Sequence, residues 1–207
     1  KLAVMSSRLE VRSTLFKSQE TEECFVTERS QSKYSFAQKL DICLNISKAI
    51  QYLHSEKLIH GNLIPKYIYL TMEGEVKLTA FDYANPGLFD SKNSITRDAE
   101  DLKTDACRYL SPESLQRNRK VDFKSDIWSL GCIIYMIFYE RHPFSDLKTD
   151  EIVQGHKKKF QPDFKFLDDT IPKVIQDLLK QCTKINSSQR CEVSHIIHTL
   201  SSLKIQK

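Results

Sequence analysis

The pattern of apolar and polar positions changes character three times along the 207-residue chain. Near the start Leu9, Val11, Ser13 and Leu15 alternate with Glu10, Arg12 and Thr14, the period of a half-buried strand. Cys24 to Thr27 reads as a second strand, with polar Lys17 to Glu23 as the hairpin loop between them. A polar bridge, Ser30 to Ser35, leads into a helix from Phe36 to His54. Its apolar face is Phe36, Leu40, Cys43, Leu44, Ile50 and Leu53. Leu58-Ile59, Ile68 to Leu70 and Val76 to Leu78 then read as small strands, the last two joined by a turn at Glu73-Gly74. Residues 82 to 108 are polar and aperiodic, so a long loop is expected there. From Ser125 onward the pattern is helical. Asp126 to Tyr139 is apolar nearly all round, as in a buried central helix, and Ser125 is its expected cap. Pro172 opens a helix with Val174, Ile175, Leu178, Leu179 and Cys182 on one face. Val193, Ile196, Ile197, Leu200 and Leu203 mark the last helix. No repeat is visible.

Composition narrows the class. With 40% hydrophobic and 28% charged residues, the chain is neither disordered nor collagen-like. Its longest purely apolar run is Cys132 to Tyr139, far short of a membrane span. No secretory signal pattern opens it. It starts at Lys1, which suggests a piece of a longer protein. A net charge of +4 is too small for a dedicated nucleic-acid binder; the one dense basic run, His156 to Lys159, reads as a solvated helix end or loop. Six cysteines form no CxxC pair and no zinc-like spacing. Several fall in apolar patterns, which suggests reduced thiols and an intracellular, cytoplasmic setting.

Chemistry-bearing segments then occur in a definite order. They are His60-Gly61-Asn62-Leu63-Ile64-Pro65-Lys66-Tyr67, Val76-Lys77-Leu78-Thr79-Ala80-Phe81-Asp82, Ser111-Pro112-Glu113, Asp126-Ile127-Trp128-Ser129-Leu130-Gly131, and Arg190. Each alone is weak. Together, over about residues 22 to 204, they resemble the protein kinase-like superfamily, chiefly its carboxyl-terminal lobe. They match in turn its H-R-D-L-K-P-x-N loop, the strand entering D-F-G, A-P-E, D-x-W-S-x-G and a late arginine. Pro65 favours the Ser/Thr branch. The resemblance implies an α+β fold: a helical lobe over 31-207, preceded by a β-hairpin and hinge over 1-30, with the upper lobe incomplete or absent.

The same resemblance implies altered chemistry. Asn62 stands at the family's catalytic aspartate, and an amide cannot take up a hydroxyl proton; a positioned base contributes about 10²–10⁴-fold. Ile64 replaces the phosphate-binding lysine. Tyr67 replaces the metal-binding asparagine and is a poor magnesium ligand. Ala80 replaces the metal-binding aspartate, leaving Asp82 as a weak candidate for metal. Gly61 replaces the arginine that clamps a phosphorylated activation loop. Ala106 replaces a substrate-positioning threonine, while Tyr109 is retained. No glycine-rich GxGxxG occurs.

Residues that hold the family's framework are kept: His60 and Phe81 in its hydrophobic column, Asp126 bracing the catalytic loop, Trp128 and Gly131 in the central helix, and Glu113 with Arg190 as a buried ion pair. Singly, His60 reads as a hydrogen-bonded structural histidine, Asp126 as a helix cap and Glu113 as a surface acid. As an ensemble they imply a pseudokinase: no enzyme, but an interaction or regulatory module of a larger protein.

Thr27, Glu28 and Arg29 would form a nucleotide hinge, leaving ATP binding open; no cofactor is expected, and magnesium is not. Protein partners, with no membrane and no nucleic acid, are the expectation. The candidate surfaces are the segment from Asp82 to Arg108 and that from Gly155 to Phe160. The rivals are a divergent active Ser/Thr kinase that uses ATP and magnesium, through Asp82 or loop carboxylates such as Asp98 and Asp101, and a nucleic-acid-associated module built on Lys157 to Lys159.

Overall fold

The computed structural model describes residues 23–24, 34–71, 75–79, 85–86, 105–115, 121–157, 164 and 170–205. The hairpin expected over Leu9 to Thr27 lies outside them except for Glu23–Cys24 (β1). That strand pairs antiparallel with Ile68–Leu70 (β3), Glu23 opposite Leu70 and Cys24 opposite Tyr69. β3 pairs in turn with Val76–Leu78 (β4), giving a three-stranded antiparallel sheet in the order β1-β3-β4.

The first described helix, α1, spans Phe36–Ser55. Ser35 starts it through a capping box. Its hydroxyl accepts from the Gln38 N–H at 3.3 Å, and Gln38 Oε1 accepts from the Ser35 N–H at 2.8 Å. The chain then turns at Lys57, whose φ is 59°, into Leu58–Ile59 (β2).

The central helix, α2, spans Phe123–Tyr139, and every residue from Ser125 to Phe138 is buried. The sequence places its cap at Ser125; the structure places it at Asp122, whose carboxylate accepts from the N–H groups of Lys124 and Ser125. Ser125 is instead the reciprocal member of that box, its hydroxyl accepting from the Asp122 N–H at 3.2 Å. A carboxylate is the stronger acceptor at a helix N-terminus, where the dipole favours negative charge.

Among the described residues three further helices follow: Thr149–Lys157 (α3), Lys173–Cys182 (α4) and Val193–Ile205 (α5). The last packs on α1, and α4 packs on α2. One apolar core joins them, with Ile46, Ile50, Trp128, Leu130, Ile133, Leu179 and Ile196 at its centre. At Gly131, α2 comes close against the end of α4. A Cβ there would lie 2.6 Å from Cys182 Cβ and 3.2 Å from Thr183 Cγ2.

Within the expected loop over 82 to 108, the described residues form two short elements. Asn85–Pro86 (β5) pairs with β2, and Asp105–Arg108 forms a single 3-10 turn. Neither is long enough to leave a period in the sequence. No described helix is long and apolar enough to cross a membrane. The arrangement is α+β, mostly helical with a small antiparallel sheet.

Candidate functional site

The site is built around the loop His60 to Tyr67, which connects β2 to β3 and ends in a 3-10 turn, Pro65–Tyr67. Its conformation is fixed from α2. Because Asp122 caps that helix, Asp126 falls one turn inside it and points at the loop. Asp126 Oδ2 accepts from the His60 N–H at 2.9 Å and Oδ1 from the Gly61 N–H at 2.8 Å. His54, near the end of α1, adds its Nε2 at 2.9 Å from Oδ2. Asp126 is only 1% exposed, so these partners replace the water it has lost. It is a brace for the loop backbone rather than an ordinary helix cap.

His60 is fully buried and hydrogen-bonded, as its structural reading requires: its Nδ1 accepts from the Asn62 N–H at 3.3 Å. Gly61 has φ 71°, a left-handed conformation that glycine takes without strain. Asn62 is 6% exposed, while Leu63, Ile64 and Pro65 turn inward to the core. Ile64 is thus a packing residue. Tyr67 is half-buried, with Lys66 Nζ 5.7 Å from its ring centroid. Its carbonyl accepts from the Thr79 N–H at 3.0 Å. That bond stitches the loop to the end of β4, directly before Ala80.

Among the described positions the donors are weak ones for magnesium. Asn62 offers one neutral amide oxygen, and Tyr67 presents a phenol where a compact oxygen ligand is needed. Ala80, Phe81 and Asp82 lie outside the described residues, as do Thr27, Glu28 and Arg29 of the expected hinge. So do Asp98 and Asp101, Lys158 and Lys159, and the side chains of His156 and Lys157.

A second cluster fixes the segment that ends at Glu113. Arg190 Nη1 donates to Glu113 Oε1 at 2.6 Å and Nη2 to Oε2 at 2.8 Å, a bidentate pair. The Arg190 side chain is fully buried. It also donates to the carbonyls of Lys184 at 2.8 Å and Lys124 at 2.8 Å, and its guanidinium lies 5.1 Å from the Trp128 ring centroid. Ser125 Oγ donates to Glu113 Oε1 at 2.8 Å. Burial pushes the Glu113 carboxyl up, but the hydrogen bonds and charge of Arg190, with the Ser125 hydroxyl, hold it below its ordinary value. Glu113 is therefore no surface acid.

Upstream, Arg108 anchors the same segment. It donates to the carbonyls of Phe144 at 2.6 Å and Leu147 at 3.2 Å, and pairs with Asp105 at 2.7 Å. The Tyr109 hydroxyl meets His142 Nδ1 at 2.7 Å, and Ser129 Oγ donates to the Tyr109 carbonyl at 2.8 Å. Sequence reasoning missed His54, Asp122 and Arg108. Only Asp122 carries a local signal, the D-x-x-S spacing to Ser125; the partners of the other two are set by tertiary packing.

Comparison with known proteins agrees with this geometry. The family model described as "Protein kinase domain" matches residues 10–200. The chain is 32% identical over 174 residues to the serine/threonine-protein kinase PKH2 of Saccharomyces cerevisiae, covering 80% of this chain and 15% of that protein. It is 28% identical over 160 residues to the serine/threonine-protein kinase Nek5 of Mus musculus, covering 74% of this chain and 23% of Nek5. It is 25% identical over 177 residues to the megakaryocyte-associated tyrosine-protein kinase of Rattus norvegicus, covering 85% and 35%. The chain thus spans between 15% and 35% of the length of these relatives.

These matches correct one expectation. The substitutions at Asn62, Ile64, Tyr67 and Ala80 suggest a protein that is no enzyme, but the matched family and the relatives named as kinases point to an enzyme class. The inference from missing groups fails because each substitution removes a contribution to rate, and none by itself defines the class. The braced loop, the Glu113–Arg190 pair and the family match place this chain in the protein kinase domain family.

Proposed function

We propose that the chain is the carboxyl-terminal lobe of a Ser/Thr-type protein kinase domain in a longer protein. There it docks and regulates protein partners, and transfers phosphoryl groups slowly from ATP to protein hydroxyls. The observation that carries this reading is the Asp126 brace: it holds His60 and Gly61 at 2.9 and 2.8 Å, directly before a loop position occupied by Asn62. The positioning device is kept, while Asn62, Ile64, Tyr67 and Ala80 stand where the family has reacting or charge-neutralising groups. Phosphoryl transfer depends mostly on positioning and charge stabilisation, through a loose transition state that leaves the protein little covalent chemistry to do. Replacing the base by an amide then slows the reaction by about 10²–10⁴-fold without changing its class.

The docking role draws on the same framework. Arg108 and the Glu113–Arg190 pair fix the described stretch from Asp105 to Leu115, the place where a partner would be recognised.

The test is incubation of the parent protein with γ-labelled ATP and a protein substrate, with and without magnesium. The expected result is slow transfer to serine and threonine hydroxyls, above a heat-denatured control. No transfer under either condition, from protein that melts cooperatively, would overturn the catalytic part of the reading.

A further inference from the structure

We propose that Cys182 and Cys191 form an oxidisable pair, converted by peroxide to a disulfide that ties the end of α4 to the segment carrying Arg190. Their sulfurs lie 3.6 Å apart across nine positions of sequence. A disulfide needs about 2.05 Å between sulfurs, so the closing movement is about 1.5 Å. Among the described residues, Cys43, Cys107 and Cys132 are fully buried. Cys191 is partly open to solvent and Cys182 is not.

The two thiols are set up for different roles. Cys191 is held below its ordinary value, first by its hydrogen bond with Cys182 and then by the nearby Lys124 ammonium and its own backbone N–H, against the opposing effect of burial. Cys182 is pushed up by the same hydrogen bond and by burial. Cys43 and Cys132 are also pushed up by burial, and Cys107 to about 11. Peroxide can reach the partly open Cys191 and not the buried Cys182, so Cys191 is the nucleophile and Cys182 the resolving thiol.

The chemistry balances. The Cys191 thiolate attacks one oxygen of hydrogen peroxide, the O–O bond breaks, and the departing hydroxide takes up a proton as water. Cys191 is now a sulfenic acid. The Cys182 sulfur attacks the Cys191 sulfur, loses its proton, and displaces hydroxide, which leaves as a second water. Two thiols are oxidised to a disulfide and one peroxide is reduced.

The position gives the bond a structural consequence. Cys182 packs where Gly131 brings α2 and α4 together, and Cys191 follows Arg190. Lys124 Nζ donates to the carbonyls of Arg190 at 2.9 Å and Cys191 at 3.1 Å. The disulfide would fasten this junction, closing a short loop in the unfolded chain and raising the melting temperature.

The experiment exposes the reduced chain to hydrogen peroxide, alkylates free thiols, and maps peptides by mass spectrometry. The expected product is a Cys182–Cys191 cross-linked peptide lighter by two hydrogens, reversed by dithiothreitol, with a higher melting temperature than the reduced form. Cys191→Ser, at a partly exposed site, is expected to fold and to leave Cys182 fully alkylatable after unfolding. Cys191 remaining alkylatable after peroxide, or accumulating as sulfinic acid with Cys182 still reduced, would overturn the proposal. So would unchanged oxidation of Cys182 in the Cys191→Ser chain.

Discussion

Arg190 grips both carboxylate oxygens of Glu113, at 2.6 and 2.8 Å, across 77 positions of sequence. The arginine side chain has no exposure and the glutamate 19%, so most of the desolvation falls on the arginine. Glu113→Ala leaves that guanidinium buried with only carbonyl and ring partners. The expected cost is about 3–5 kcal/mol, read as a shift in the urea midpoint. A loss below about 1 kcal/mol would place the pair in the class of exposed surface bridges.

The same pair gives stability a pH dependence. Burial acts to raise the Glu113 carboxyl, yet Arg190 and the Ser125 hydroxyl hold it below its ordinary value of 4.5. A depressed carboxylate contributes stability that is present above the ordinary value and lost as pH falls through the lower folded one. Urea unfolding of the wild type should therefore weaken progressively below pH 4.5. Glu113→Gln, which cannot titrate there, should weaken less over the same interval; equal slopes would rule out this origin.

Gly131→Ala tests the contact between α2 and α4. Alanine gains about 1 kcal/mol of helix propensity over glycine. Against that, its Cβ would meet Cys182 Cβ at 2.6 Å, an atom fixed close to the backbone. Overpacking of this kind costs about 1–3 kcal/mol, so a net loss is expected. A lower melting temperature by calorimetry checks it.

Asp126→Ala removes the acceptor for the His60 and Gly61 N–H groups and the partner of His54. A buried unsatisfied donor costs about 1–3 kcal/mol. Hydrogen exchange at the amides of His60 and Gly61 should accelerate strongly, with exchange in α5 changed only as far as global stability falls. Uniform acceleration throughout the lobe would mean that Asp126 is not a local brace.

The helical half was legible because its signals are periodic. The stretch from Ile127 to Phe138, apolar nearly all round, reads as a buried helix, and α1 ends within one residue of its predicted limit. Ser125 misled because two members of one capping box are both good caps, and only coordinates show which leads. Helix α3 escaped notice because Ile152 and Val153 are its only strongly apolar residues. At the site, Asp126, Glu113 and Arg190 were legible as a resemblance, and the structure supplies their distances. The partners His54 and Arg108 were not, since their bonds to Asp126 and Phe144 depend on how distant elements pack. The step from Asn62 and Ile64 to the absence of an enzyme went too far, because a residue's chemistry sets how much it adds to a rate.

The most direct measurement is the single-turnover rate of phosphoryl transfer by the parent protein, wild type against Asn62→Asp, under identical ATP and magnesium. Restoring a carboxylate at a braced loop should raise the rate by about 10²-fold or more. Equal melting temperatures for the two proteins would assign the gain to chemistry rather than folding. An unchanged rate, or no transfer from either protein while both remain folded, would contradict the reading of this lobe as a slow kinase with its positioning framework intact.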